Sequence, residues 1–243
     1  YYWIPKSFET GYVESHDWVD NLECDNGLHG LEWGVGDYSL DALKELWQII
    51  RVDKNDGYRD LGDRVKFKCG EVILSTLDQK EAMDLLMKYV PSELKSKVNY
   101  QVVFSGDDLV IKCGYGSIIN CGGYSTIVSG GMSIIKCGYG SIINCGHFSN
   151  ITSGSFSKIT SGYWSDITSG FGSKITSGDW SDIISGDGSI ITSGYKSTIV
   201  IKGDDVTFTL GKGSRVMTKG SVFVEGVDFK AGEEVIVKNG KIV

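Results

Sequence analysis

From Gln101 to Asp204 the chain divides into thirteen consecutive octads, and no other feature restricts its fold as narrowly. Ser165-Asp166-Ile167-Thr168-Ser169-Gly170-Phe171-Gly172 is representative. The first position is Ser in every octad from Ser117 to Ser197, and the third is Ile from Ile119 to Ile199. The fifth is Ser or Cys and the sixth is Gly, until the last octad brings Ile201 and Lys202. A short fixed period marks a stacked architecture in which each unit buries its apolar side only against its neighbours. Side chains alternate along a strand, so positions one, three and five share one face and positions two and four the other. Ser, Ile and Ser/Cys are therefore expected inside, in ladders running from coil to coil. Glycine at position six is expected to supply the backbone freedom for a sharp corner, which positions seven and eight complete. The fold class that follows is mainly β, with a C-terminal β-solenoid of eight-residue repeats.

One octad gives one strand and one corner, so closure needs at least two and points to a coil of 16 residues. Position eight supports that period: every sixteenth residue gives Met132, Phe148, Trp164 and Trp180, whereas the intervening corners give Gly140, Phe156, Gly172 and Gly188. One edge is thus expected to be an aromatic ladder and the other mostly glycine. The segment Ile111–Gly122 recurs at Ile135–Gly146, 24 residues on, which keeps a three-sided coil of 24 residues as the alternative. The ladder residues Met132, Phe148, Trp164 and Trp180 are the candidates for a partner or homodimer interface, because contiguous exposed aromatics mark interaction surfaces.

Residues 1–100 read as a small α+β head domain. Ser39–Ile50 has helical spacing with Ser39 as N-cap. Arg64–Ser75 alternates around Val65, Phe67, Val72 and Leu74 and reads as strands. Thr76 is placed as the cap of a second helix near Asp78–Tyr89 that packs Met83, Leu85, Leu86 and Val90 and ends at Pro91, with a short helical turn over Ser92–Val98. Residues 205–243 leave the octad pattern and read as a β cap, with Asn239-Gly240 signalling a terminal type I′ hairpin. The head domain is expected to close the opposite end of the solenoid.

Charge is unevenly shared. The chain carries −7, and residues 1–63 hold 14 acidic against 5 basic side chains. An acidic surface repels nucleic acid and steers basic partners, so Glu14, Asp17, Asp20, Glu23 and Asp25 form a candidate partner-binding head, with no direct nucleic-acid binding expected. None of the six cysteines forms a Cys-x-x-Cys pair, and four share position five of the octad, which reads as a small buried residue rather than a disulfide or zinc framework. No metal site is expected, since His29 and Cys24 are too few ligands. No run approaches the ~18 apolar residues of a membrane span, and Tyr1–Lys6 shows no basic segment leading into an apolar one. Together with the scattered thiols, this points to a reducing, cytoplasmic setting and no membrane partner.

Three resemblances rest on particular segments. Ser161-Gly162-Tyr163-Trp164-Ser165-Asp166-Ile167-Thr168 resembles the repeats of bacterial ice-nucleation proteins, whose 16-residue coils are similar to Ala-Gly-Tyr-Gly-Ser-Thr-x-Thr. This implies the solenoid and makes ice binding a third functional reading. Ice binding would need a flat outward Thr-x-Thr array, and the outward pairs here are Lys158/Thr160, Asp166/Thr168, Lys174/Thr176 and Asp182/Ile184. Cys24–Leu31 together with Gly62–Cys69 resembles an uncharacterised domain family of bacteriophage and bacterial proteins that often precedes Ser-Gly repeats. It implies a mobile-element origin and action in the bacterial host cytoplasm. Gly27-Leu28-His29-Gly30-Leu31, followed by Ser39 and Trp47, is similar to a segment of ADP-ribosyltransferases. That similarity implies NAD as cofactor, His29 stacked on nicotinamide and Glu71 steadying the ribose cation. The family's upstream His-Gly strand is missing, because His16 is followed by Asp17.

The leading reading is a non-enzymatic interaction protein without cofactor. It is expected to be phage-borne and to act as inhibitor or adaptor toward a host defence or nucleic-acid-processing protein, with the solenoid as rigid or dimerising scaffold. The transferase-like enzyme is the second reading.

Overall fold

The computed structural model describes residues 11–23, 26–35 and 46–243, and the chain divides into two compact units, residues 1–102 and 103–243. Strands dominate, and among the described residues Gln79–Tyr89 is the one α-helix. No described helix is long and apolar enough to cross a membrane.

The first unit is built around the segment 65–76. Val65–Phe67 is the central strand of one antiparallel sheet, between Leu28–Gly30 and Tyr58–Asp60. Cys69–Thr76 is the central strand of another, between Gly11–Glu14 and Trp47–Arg51. The alternation of apolar residues over 64–75 is thus realised as strands. The helix expected over Ser39–Ile50 is not: Trp47–Arg51 is a strand whose Trp47 pairs with Thr76, and Ser39 lies outside the described residues. Trp47, Ile49 and Ile50 favour an extended backbone, and pairing with Cys69–Thr76 outweighs the helical spacing. The helix Gln79–Tyr89 forms where expected and buries Ala82 and Met83. Its cap differs. Asp78, not Thr76, accepts the backbone N–H groups of Lys80 at 2.8 Å and Glu81 at 3.3 Å. Thr76 sits two residues earlier, accepting from the Asp78 N–H and donating to the Glu81 carboxylate at 2.6 Å. Val90 ends the helix, and Lys95–Lys97 forms a short 3-10 turn.

The second unit is a two-sided β-solenoid of about seven turns. Its strands stack in two nine-stranded sheets. The first begins with Val102–Phe104 and Ile118–Asn120; the second begins with Val110–Lys112 and Thr126–Ser129. Register fixes the coil: Thr126 pairs with Ile142 and Ile135 with Ile151, each 16 residues on. The three-sided alternative is therefore excluded, and the duplicated segments fall on opposite sheets, Ile111 on the second and Ile135 on the first. Inside, Ile119 to Ile199 form an unbroken column at each sheet, each at most 2% exposed. Burial of one such side chain stabilises by about 1.5–3 kcal/mol. The serines of position one clasp the corner: Ser165 Oγ donates to the Gly162 carbonyl at 3.1 Å, and Ser133, Ser149, Ser157 and Ser181 repeat the bond within their own corners. Position five behaves differently. Among the described residues, the buried hydroxyls of Ser153, Ser161, Ser169 and Ser185 find no partner, so cysteine is accepted at this position, whereas the Ser177 and Ser193 hydroxyls bond to each other at 2.8 Å.

The corner is not made as the octad suggested. Glycine at position six does not adopt a positive φ; position eight does, from Tyr124 through Met132, Gly140, Phe148, Phe156, Trp164, Gly172, Trp180 and Gly188 to Lys196. Position six needs glycine because adjacent coils touch there. A Cβ on Gly178 would lie 2.7 Å from the Tyr163 nitrogen, and one on Gly146 would lie 2.6 Å from the Gly131 nitrogen.

Parallel stacking continues beyond Asp204 with one residue inserted. Ile190 pairs with Thr207 and Thr198 with Arg215, each 17 residues on. Asp205, rather than Asp204, takes the positive φ at that corner. Antiparallel strands then close both sheets: Glu234–Lys238 lies on Val206–Leu210, and Val222–Val224 on Arg215–Met217. Asn239 and Gly240, with φ of 50° and 71°, turn the expected terminal hairpin.

Candidate functional site: an aromatic, charged edge of the solenoid

Position eight places Met132, Phe148, Trp164 and Trp180 one above another along one edge, all with a positive φ. Left-handed backbone costs a residue with a side chain about 1–2 kcal/mol. Bulky residues rarely occupy it, and such outliers gather at functional sites. The indoles of Trp164 and Trp180 stack, with ring centres 5.1 Å apart and planes 2° from parallel, and Phe148 continues the stack at 6.5 Å. Phe148, Trp164 and Trp180 remain 53%, 50% and 40% exposed. Met132 lies one rung further on, in contact with the Tyr115 hydroxyl.

The opposite edge is not mostly glycine. Tyr139 and Phe171, from position seven, alternate with Tyr124 and Phe156, from position eight, in a zipper with ring centres 5.0–5.4 Å apart. Gly140 and Gly172 make room for it: a Cβ at Gly140 would stand 3.0 Å from the Tyr124 ring, and one at Gly172 would stand 2.9 Å from the Phe156 ring.

A cleft of about 520 Å³ runs beside the first edge, between the ladder and the outward face of the first sheet. Phe148, Trp164 and Trp180 form one wall, while Asp166, Asp182, Thr198 and Arg215 project from the sheet and Lys196 continues the ladder. Asp166 lies in register with Asp182, and Thr198 with Arg215. Among the described residues, none of the four charged groups has an ion-pair partner. The Lys196 ammonium lies 4.4 Å from the centre of the Trp180 ring, and the Arg215 guanidinium donates to the Thr198 hydroxyl at 3.3 Å.

The acidic head residues are engaged within the first unit. Glu14 pairs with Lys68 at 3.6 Å and Asp20 with Arg59 at 2.6 Å. Asp17 accepts from the Ser15 hydroxyl and the Gly27 N–H, which hold its carboxyl below the usual range. The Glu23 carboxylate accepts from the Asn21 amide at 3.0 Å. Asp25 and Cys24 lie outside the described residues.

His29 and Glu71 fall in different sheets. His29 pairs with Lys66 across the strands and buries its Nε2 without a partner; burial first, then Arg64 and Lys66, lowers its pKa. Glu71 is exposed and ion-paired with Arg51. Among the described residues, no cluster of three His, Cys, Asp or Glu side chains could hold a metal ion.

Sequence reasoning missed Lys66. It is fully buried, and its ammonium donates to the Asn21 and Asn26 side-chain oxygens at 2.7 and 2.6 Å and to the Asn21 and Glu23 carbonyls at 3.3 and 3.0 Å. The Trp18 ring lies 5.2 Å from it. This cation is an internal anchor for Asn21, Glu23 and Asn26. The one hint in the sequence is a lysine between Val65 and Phe67. No protein-family model, no curated protein and no solved structure matches the chain.

Proposed function

We propose that the chain is a non-enzymatic protein-interaction module whose solenoid is a rigid scaffold and whose Phe148–Trp164–Trp180 edge is the contact surface. The observation that carries this reading is the exposed ladder held in left-handed backbone. Glycine would fit each of those corners with less strain, as it does at Gly172 and Gly188. Stacking between neighbouring rings returns about 0.5–1.5 kcal/mol per pair, roughly what the backbone loses. The rings still leave 40–53% of their surface exposed, and a partner that covers this surface gives a further reason for aromatics at these corners. In the same reading the protein is phage-borne and acts as inhibitor or adaptor on a host protein, a part that rests on the resemblance of residues 20–90 to phage and bacterial domains.

The test is a tagged capture from bacterial lysate with intact mass spectrometry, comparing the wild type with Trp164→Gly/Trp180→Gly. Glycine keeps the backbone conformation, so the variant isolates the rings. A stoichiometric, unmodified protein retained by the wild type and lost by the variant supports the reading. Equal retention by both, with the same mass in solution, overturns the role of the ladder. A captured protein heavier by one ADP-ribose unit overturns the non-enzymatic assignment.

A further inference from the structure

We propose that the partner at this edge is a second copy of the chain, docked antiparallel about a two-fold axis that crosses the cleft between the Trp180 and Lys196 rungs. The inference rests on the interaction reading above and names its partner. Four successive rungs line the cleft: Trp164 with Asp166, Trp180 with Asp182, Lys196 with Thr198, and Gly213 with Arg215. Their charges run minus, minus, plus, plus, and none is neutralised by an ion pair among the described residues. A two-fold axis at the centre of that series exchanges the first rung with the fourth and the second with the third. Asp166 then meets Arg215 of the second copy, and the rung of Trp180 and Asp182 meets the rung of Lys196 and Thr198 of the second copy. Each pair occurs twice, which is the self-complementarity an isologous interface requires.

Alternative placements fail on the same charges. A parallel arrangement stacks Asp on Asp and Lys on Lys. An antiparallel slip by one rung sets Asp182 against Asp182 of the second copy. Since coils on both copies share the strand spacing of about 4.8 Å, only the central register satisfies every rung. The ladder fits the same axis. Trp180 takes the ammonium of Lys196 from the second copy, a ring–cation pairing the chain already makes within itself at 4.4 Å. Trp164 falls opposite Gly213, whose missing side chain leaves space for the indole.

Mass by light scattering and sedimentation, across a dilution series at low and high salt, tests the inference. The wild type is expected at twice the chain mass of 26.5 kDa and to dissociate as salt rises. Asp166→Lys/Asp182→Lys makes the series all positive, and Lys196→Asp/Arg215→Asp makes it all negative. Each variant alone is expected to weaken dimerisation by about a hundredfold or more. Mixed together, the two are expected to form the heterodimer that neither can form with itself. The fourfold variant, plus, plus, minus, minus, regains the dimer. A wild type that stays at single-chain mass overturns the inference, as does a dimer indifferent to both reversals. The interaction reading fails separately: a monomeric wild type whose host partner is lost with Trp164→Gly/Trp180→Gly sinks the two-fold dimer alone. A monomer whose capture ignores those indoles sinks both.

Discussion

Gly178→Ala and Gly188→Ala separate the two reasons a corner can require glycine. At position six, a Cβ on Gly178 would lie 2.7 Å from the Tyr163 nitrogen, 2.9 Å from the Gly162 carbonyl carbon and 3.0 Å from the Tyr163 Cα. All three are backbone atoms of the preceding coil, so no side chain can swing aside, and the coils must part locally by roughly 0.7 Å to reach ordinary contact. The Gly178 N–H to Gly162 carbonyl bond already measures 3.2 Å, and the Trp164 N–H to Asp179 carbonyl bond 2.9 Å. That separation takes both beyond hydrogen-bonding length. Two lost bonds at about 1 kcal/mol each, with some loosened packing, give a destabilisation of about 2–3 kcal/mol. At position eight, Gly188 has φ of 62° and its Cβ would meet only the Phe171 ring, at 3.6 Å. Alanine there costs only the left-handed strain, about 1–2 kcal/mol. Urea unfolding followed by circular dichroism should therefore move the midpoint further for Gly178→Ala than for Gly188→Ala. A larger shift for Gly188→Ala would refute close coil approach as the reason for glycine at position six.

Three further outcomes follow from buried groups. Burial raises the Cys113 and Cys145 thiols from 9.0 to about 11. Between those values only the unfolded chain ionises, so stability is intact below pH 9 and falls as pH rises, by about 1.4 kcal/mol per unit per thiol. Cys113→Ser/Cys145→Ser should flatten that decline in urea midpoints measured against pH. Ser165→Ala removes the bond to the Gly162 carbonyl and should cost about 1 kcal/mol, whereas Ser169→Ala removes a hydroxyl without a partner and should be neutral or stabilising. An equal loss for both would contradict the clasp. Lys66→Met removes the donor to four oxygens and should destabilise the first unit by about 3 kcal/mol or more, read as faster amide hydrogen exchange over residues 18–23. Unchanged exchange there would show that the ammonium does not hold the loop.

The solenoid was legible because burial translates alternation directly: Ser, Ile and Ser at positions one, three and five are inside because neighbouring side chains on a strand point apart. What the octad hides is contact between coils. Gly178 touches Tyr163, fifteen residues away in sequence, and only the stacked structure shows why position six stays glycine from Gly106 to Gly194. The left-handed backbone at Trp164 and Trp180 runs against every propensity of tryptophan, so local reasoning assigned the strain to glycine. The second aromatic edge was hidden because its rings come alternately from positions seven and eight. In the first unit, Leu40, Leu43 and Trp47 carry a helical spacing, but Trp47 and Ile50 answer to the strand Cys69–Thr76 that pairs with them. The charged cleft was illegible for a similar reason. Asp166 and Asp182 lie within the octads, whereas Arg215 reaches the same column only through the 17-residue offset beyond Asp204.

The twelve residues Ile111–Gly122 recur at Ile135–Gly146, three octads on. Three is odd, so the copy sits on the other sheet, and both sheets accept the same sequence. Such a chain can lengthen by half-turns, and each half-turn reverses the side on which everything downstream emerges. An inserted octad would carry later position-eight residues to the opposite edge and their outward charges to the opposite sheet. Two inserted octads would leave both where they were. Folding tolerates any number of octads, but a binding edge tolerates only even ones. Selection acting on that edge would therefore leave its trace in the parity of the repeat count.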